Sequence, residues 1–419
     1  MPSKPPSQQK GRAGRTGGAR RWLAALAALA VLALLGAGVW LMLDGDEQPA
    51  AGTAGVQAAT QTSPQFFGQV AGQPAAPLPG ERASRRQQLV EYYELTDHTY
   101  CSYREGSMYP ASSQPMSRNP DQAYPNRPVL ESNPMRGEDR GSNPNILIQT
   151  SQSRVFVAAG ESVAFSLRAV EPNGAAVPLV VTRAIAAGVV LTGARATTQV
   201  PLVFADNGSG SSSAVLTPGQ TGLASFAGTI RTEVRYTAGG KNGVLIFDVI
   251  HSPKVPAVWM GQPREAMEDG SLVFVLRADV RTPGRYVVTG RVDDAQGRPF
   301  ALATFNEVLG PGPNDVKLTV FGKLMHDGGA ALPLTLRDVD GYLLKENTDP
   351  DRELMPRLEG RLLTSRKGSL EGVSQAEWDS EERQRHLNEF ARDRKAAAAE
   401  LAKFDPSQPL PPSACGPVQ

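Results

Sequence analysis

The chain has 419 residues, with 43 basic and 42 acidic side chains, 42 glycines, 34 prolines and 40% apolar residues. That length allows two or three domains, and a net charge of +1 lacks the basic surface that neutralising nucleic-acid phosphates requires, so nucleic acid is not an expected partner. The balance hides a polarity: Lys4, Lys10, Arg12, Arg15, Arg20 and Arg21 precede residue 22 with no acid among them, and the remainder of the chain is acidic.

Residues 22–43 (WLAALAALAVLALLGAGVWLML) carry no charge. As a helix this run spans roughly 33 Å, enough for a hydrocarbon layer of about 30 Å. Trp22 and Trp40 stand near its ends, where amphipathic rings prefer the lipid interface, and Arg20 and Arg21 mark the inner boundary. Asp44, Asp46 and Glu47 follow, so the positive-inside rule leaves residues 1–21 as a cytoplasmic basic tail and places the rest outside. A cleaved secretory signal shares this order of charge and apolarity. The length of the run and the lack of a small-x-small site directly after it favour an uncleaved signal-anchor. The expectation is a single pass through the inner (cytoplasmic) membrane, with the bilayer as a partner and the bulk of the chain periplasmic.

Residues 44–84 are rich in Ala, Gly, Gln, Thr and Pro, with one aromatic pair, Phe66 and Phe67, and read as a disordered linker. Residues 85–144 follow as a short helix over 85–95 and then an irregular stretch. Tyr100, Tyr103 and Tyr109 there are expected to pin an extended segment onto the neighbouring domain.

From residue 145 the pattern turns to short alternating runs broken by turn residues about every ten positions, the signature of an all-β sandwich. Candidate strands at 146–149, 154–157, 163–169, 177–183, 199–204, 223–236 and 244–250 define a first sandwich over 145–252. A second set, at 271–281, 285–293, 301–308, 316–324 and 332–344, defines another over 253–345. Within it Leu272, Phe274, Leu276, Tyr286, Val288 and Val292 alternate with Arg277, Asp279, Arg285, Thr289 and Arg291, giving one core face and one wet face. The fold class is mainly β: an N-terminal transmembrane helix, a flexible tether, two tandem immunoglobulin-like sandwiches and a C-terminal charged helix.

The runs PGRYVVTGRVDDAQGRPFALATF, VKLTVFGKLMHDGG and ALPLTLRDVDGYLL resemble the Ig-like repeat of bacterial envelope and surface proteins, including those labelled choice-of-anchor X, over roughly residues 258–345. The resemblance implies a fold and an extracytoplasmic setting and carries over no catalytic residue.

Ser374 and Glu377 have capping-box spacing, so the terminal helix is expected over 374–404, with Leu387, Phe390, Ala397, Leu401 and Phe404 near one side and a tail over 405–419. Its plain role is to pack on a sandwich; the alternative is a helix offered to a partner.

Chemistry-bearing motifs are scarce. The four histidines, at 98, 251, 326 and 386, have no metal-ligand spacing, and neither a nucleophile elbow nor a phosphate loop is present. No cofactor and no enzymatic activity are expected. Asp338 and Asp340, with Glu346, Asp349, Asp351 and Glu353 downstream, are the candidate metal ligands, weighed against a salt-bridged turn with Arg337, Lys345 and Arg352. Cys101 and Cys415 bound the folded part on the oxidising side, so a disulfide between them is expected; two unpaired thiols or an intermolecular bridge are the alternatives. The sum is a membrane-anchored, non-catalytic module for envelope adhesion, accessory or assembly work, with an envelope protein or a glycan as partner. The alternative is an envelope hydrolase that cleaves glycan or peptide with a pair of carboxylates.

Overall fold

The computed structural model describes residues 79–137, 141–190, 197–208 and 210–416. The basic tail, the apolar run with Arg20, Arg21, Trp22 and Trp40, and the tether up to residue 78, with Phe66 and Phe67, lie outside the described residues. Among the described residues no helix is long and apolar enough to cross a membrane.

The first element is α1, Pro79–Gly106, far longer than the expected helix over 85–95 and reaching into the expected linker. Leu89, Tyr93, Asp97 and Cys101 form a buried row at four-residue spacing, which is one face of a helix. Asp97 and Cys101 break an apolar reading of that row, so the pattern fades after Leu95 although the face continues. Tyr100 and Tyr103 therefore stand on a helix and not on an extended segment.

Strands follow in chain order. β1 (Ser113–Pro115) precedes β2 (Val129–Arg136), β3 (Ser142–Gln152), β4 (Phe156–Ala158), β5 (Val163–Val170), β6 (Ala176–Val177) and β7 (Leu179–Gly188). Next come β8 (Val200–Pro201), β9 (Ala205–Asp206), β10 (Ser211–Leu216), β11 (Gly228–Ala238) and β12 (Lys241–Ser252). One sheet runs β2-β3-β5-β10-β9, with β6 on β5, and the sheet facing it runs β4-β12-β11-β7-β8. Strict alternation makes this sandwich. Val163, Phe165, Leu167 and Ala169 of β5 face Ile230, Val234, Tyr236 and Ala238 of β11 across the core, and Phe165 stacks on Phe247 with centroids 4.6 Å apart. Gly243 lies under Tyr236, where a Cβ would stand 2.5 Å from the ring. β2 enlarges the first sandwich into the stretch expected to be irregular. It is an edge strand, exposed at seven of eight positions and carrying Pro134, so it shows no alternation.

The second sandwich comprises β13 (Ala257–Glu268), β14 (Ser271–Val280), β15 (Gly284–Asp293), β16 (Pro299–Leu309), β17 (Gly312–Val320), β18 (Thr335–Leu344), β19 (Arg352–Leu354) and β20 (Leu358–Thr364). The sheet β13-β14-β17 packs on β1-β16-β15-β18-β19, and β20 also pairs with β18. It thus extends beyond residue 345 at one end and recruits β1 at the other. Tyr286 is fully buried and donates to Thr282 O at 2.7 Å and Pro256 O at 3.0 Å, tying β15 to the turn before it and to the entry to β13. The run expected as a strand over 316–324 ends at Val320 and turns into α2, Gly322–Asp327.

The chain then returns to the first helix. α3, Glu381–Phe404, is capped by Ser380, whose Oγ accepts from Arg383 N at 3.2 Å. Ser374 instead accepts from Ala376 N and belongs to the crossing that leads to the helix, so the expected start at 374 is too early. α3 packs antiparallel on α1 rather than on a sandwich face. Leu89, Tyr93, Ala397, Ala398 and Leu401 make a cluster separate from both sandwich cores.

Candidate functional site: the cleft between the sandwiches

A cleft of about 820 Å³ opens between the sandwiches. Its floor is the outer face of β15 and β18, and its walls are the segment 120–129 and residues 153–156 beside β4. Five arginines line it, at 127, 154, 291, 352 and 357, together with Tyr124, Phe156 and Tyr342.

Arg291 anchors the floor. Strand alternation points it to the wet face, yet it is only 2% exposed, because the segment before β2 folds over it. Its Nε donates to Gln122 O at 3.0 Å, its Nη1 donates to Asp338 O at 2.9 Å and pairs with the Asp340 carboxylate, and its Nη2 reaches Gln122 Oε1 at 3.4 Å. Arg337 repeats the device beside it. Its Nε meets Asp293 at 2.6 Å, its Nη1 meets Asp338 at 2.7 Å, and its Nη2 donates to Ala123 O at 2.8 Å. Burial works against the Arg337 charge, but the bonds to Asp293 and Asp338 outweigh it and raise its pKa.

Across the cleft, Glu161 of the first sandwich takes Arg357 of the second at 2.8 Å and Arg154 at 3.1 Å; Arg357 also donates to Phe156 O at 2.9 Å. The Arg352 guanidinium lies 4.7 Å from both the Phe156 and Tyr342 centroids, joining an edge of each sandwich, while its fork binds Asp351 at 2.7 and 3.0 Å. That hydrogen bond holds Asp351 below the ordinary carboxylate range despite some burial. Arg127 stands over Tyr124 at 3.8 Å.

Chemically this is a lock. Guanidinium groups are matched to carboxylates and carbonyl oxygens on facing elements, which fixes the sandwiches and the 116–128 segment against one another. The candidate metal ligands are part of it. Asp338, in the left-handed region at φ 45 where the register of β18 shifts, receives Arg337 at Oδ2 and both Asn126 Nδ2 and Gly360 N at Oδ1, while Asp340 receives Arg291. Among the described residues no three His, Cys, Asp or Glu side chains gather where they would hold a metal ion. The described carboxylates with a resolved shift, Asp294, Asp351, Glu377 and Asp405, are all lowered.

The second feature is the helical arm. Cys101 and Cys415, 314 positions apart, are joined by a disulfide with their Cα atoms 5.5 Å apart, and among the described residues neither thiol is free. Next to it Asp97 and Arg394, both nearly buried, make a charge contact at 2.7 Å that is poorly aligned for a hydrogen bond. Arg394 Nη2 donates to Ser413 Oγ at 2.8 Å and Gly416 O at 2.5 Å, so the tail 405–416 folds back along the helices. Where the arm meets the second sandwich, Glu377 takes Arg104 at 3.0 Å and also Arg383; burial alone would raise its pKa, but the two arginines lower it. Tyr103 lies edge-on to Phe390 and His386, at 5.3 and 5.5 Å. Tyr109 does pin its segment, donating to Asp327 at 2.9 Å; burial and that bond push its pKa up to about 12.

The expected salt-bridged turn is present as Arg337–Asp338, Lys345–Glu353 and Arg352–Asp351, but the burial of Arg291 in the lock was not legible in the sequence. An arginine at a strand's outward position looks solvated, and the only cue was the Asp293, Arg337, Asp338 and Asp340 cluster, whose partners come from distant segments.

No protein-family model matches the chain, and no curated protein matches it by sequence. Among solved structures it is similar to a DUF4785 family protein from Legionella pneumophila, at 14% identity and a TM-score of 0.36, covering 52% of this chain and 57% of that one. It is also similar to the adhesin InvE of Yersinia pseudotuberculosis (14%, TM-score 0.16, covering 50% and 58%) and to trypsin-activated alpha-2-macroglobulin from Escherichia coli (12%, 0.20, 55% and 17%). The chain spans little more than half the length of the first two, and no activity carries over from any of them.

Proposed function

We propose that the chain is a single-pass, membrane-anchored protein that holds its two sandwiches on the extracytoplasmic side as a non-catalytic envelope module, used for adhesion, assembly or as an accessory. The observation that carries this reading is the charge asymmetry around the uncharged run at 22–43, six basic residues before it and Asp44, Asp46 and Glu47 after it. The Cys101–Cys415 bond supports the same side of the membrane, since disulfides persist in oxidising compartments. The non-catalytic part is supported by the cleft, where Asp340, Glu161 and Asp351 are each tied to an arginine. The partner is an envelope protein or a glycan.

Fractionation tests the reading. The protein is expected to stay with membranes through high-salt and alkaline washes, and protease added to the outer face is expected to remove everything after about residue 44. Recovery of a soluble mature form beginning near residue 50 would overturn it.

A further inference from the structure

The helical arm is built unevenly along its length. At the tip, where the chain enters from the linker at Pro79, the helices meet through Leu89, Ala398 and Leu401 and through surface contacts. The closer charge contact there is the part-buried Arg86–Asp405 pair at 2.7 Å; Arg85–Glu400 spans 3.3 Å with both side chains more than half exposed, and Arg82 lies 5.8 Å from the Phe404 ring. Exposed pairs of that kind stabilise little. At the base stand the disulfide, the buried Asp97–Arg394 pair and the Tyr103–Phe390 contact. A pull on residue 79 therefore opens the arm from its weak end, pair by pair, until it reaches Cys101.

Beyond Cys101 the chain enters the second sandwich through β1, which pairs with β16 over only three residues, Ser113–Pro115. From Cys415 a second route runs back along the tail and α3 to Ser374, held by Gly270 O at 2.9 Å, and then to the seven-residue β20. β1 lies at one edge of the six-stranded sheet, and β20 pairs with β18 toward the other.

We propose that the Cys101–Cys415 bond is a load-sharing clamp, which passes tension arriving from the linker to both sides of the second sandwich's larger sheet and keeps β1 from being stripped away alone. The proposal rests on the reading above only in that load enters through residues 44–78. An extracytoplasmic module anchored at one end and engaged at the other meets such tension.

The test is optical-tweezers extension of the full chain, with azide-bearing residues in place of Gln57 and Gln296 as handles; Gln296 sits in the exposed turn between β15 and β16. In the oxidised protein the first step is expected to release residues 79–100 alone, a lengthening of about 5 nm. The next event then waits for the sandwich. Adding a phosphine reductant to the same tethered molecule should let the first step run through β1 and lengthen accordingly, at lower force, with no refolding required. The Cys101→Ser, Cys415→Ser double variant should behave as the reduced chain does. Identical first steps and forces before and after reduction would overturn the clamp. Failure of membrane attachment in the fractionation experiment removes the anchor and leaves this measurement standing, so the two failures are distinguishable.

Discussion

Replacing Arg291 by Met tests whether the arginine lock holds the second sandwich and its covering segment together. The change keeps a long, unbranched side chain on β15 but removes every donor. Removing one partner of a buried charge pair costs about 3–5 kcal/mol. Asp340 keeps 34% of its side chain in water and can rehydrate, which places the pair near the lower figure. Gln122 O and Asp338 O, now 3.0 and 2.9 Å from a charged donor, also lose it, although the open cleft lets water replace most of that bonding. The total is about 4 kcal/mol. At about 2 °C per kcal/mol for a body of this size, the melting temperature should fall about 8 °C by scanning calorimetry. Release of the 116–128 segment should also raise tryptic cleavage after the exposed Arg118. The double variant with Asp340→Asn should be less destabilised than the sum of the single variants, since the pair is lost only once. A melting temperature within about 1 °C of the parent, together with an unchanged digestion pattern, would refute the lock.

Gly322→Ala should destabilise by about 1–3 kcal/mol, because the added Cβ falls within 2.7 Å of Ser374 O and closer still to Gly270 O, both backbone atoms that must move; urea midpoints at constant m-value measure it. Burial lowers the pKa of His251, partly offset by its bond to Phe226 O, so the folded state takes up a proton less readily than the unfolded chain. The stability this residue contributes is then complete above about pH 6.5 and is lost as pH falls toward the folded value. His251→Asn should flatten the denaturant midpoint between pH 7.5 and pH 5, and an unchanged slope would count against that origin. Loop closure across 314 positions sets a ceiling of about 6 kcal/mol on what the disulfide contributes; the reduced and oxidised midpoints should differ by less than that but by a measurable amount, and coincident midpoints would mean that the folded-back tail suffices without the bond.

What the sequence disclosed depends on where each residue's partner lies. Within a sandwich, alternation reports burial directly, because the facing sheet is continuous and every second side chain meets it. β5, β11 and β15 were legible for that reason, and so was the pairing of Cys101 with Cys415, which needed only a common compartment and domain ends that lie close together. Alternation fails where a third layer covers the outer face. Arg291 occupies an outward position yet is buried under the segment 116–128, which has little regular structure and so no period to announce it. A different cause hides β2, an edge strand exposed at seven of its eight positions, and in α1 the apolar period fades where the buried row passes through Asp97 and Cys101. For Arg291 and α1 a polar residue is buried by a partner remote in sequence: Arg394 for Asp97, and Gln122 and Asp340 for Arg291. An isolated charge cannot remain in such a place, so each of these residues presupposes its partner. The polar contacts that position the arm and the cleft are therefore the part of the structure that local pattern reports least, and substitution of one partner at a time is the means of reading them.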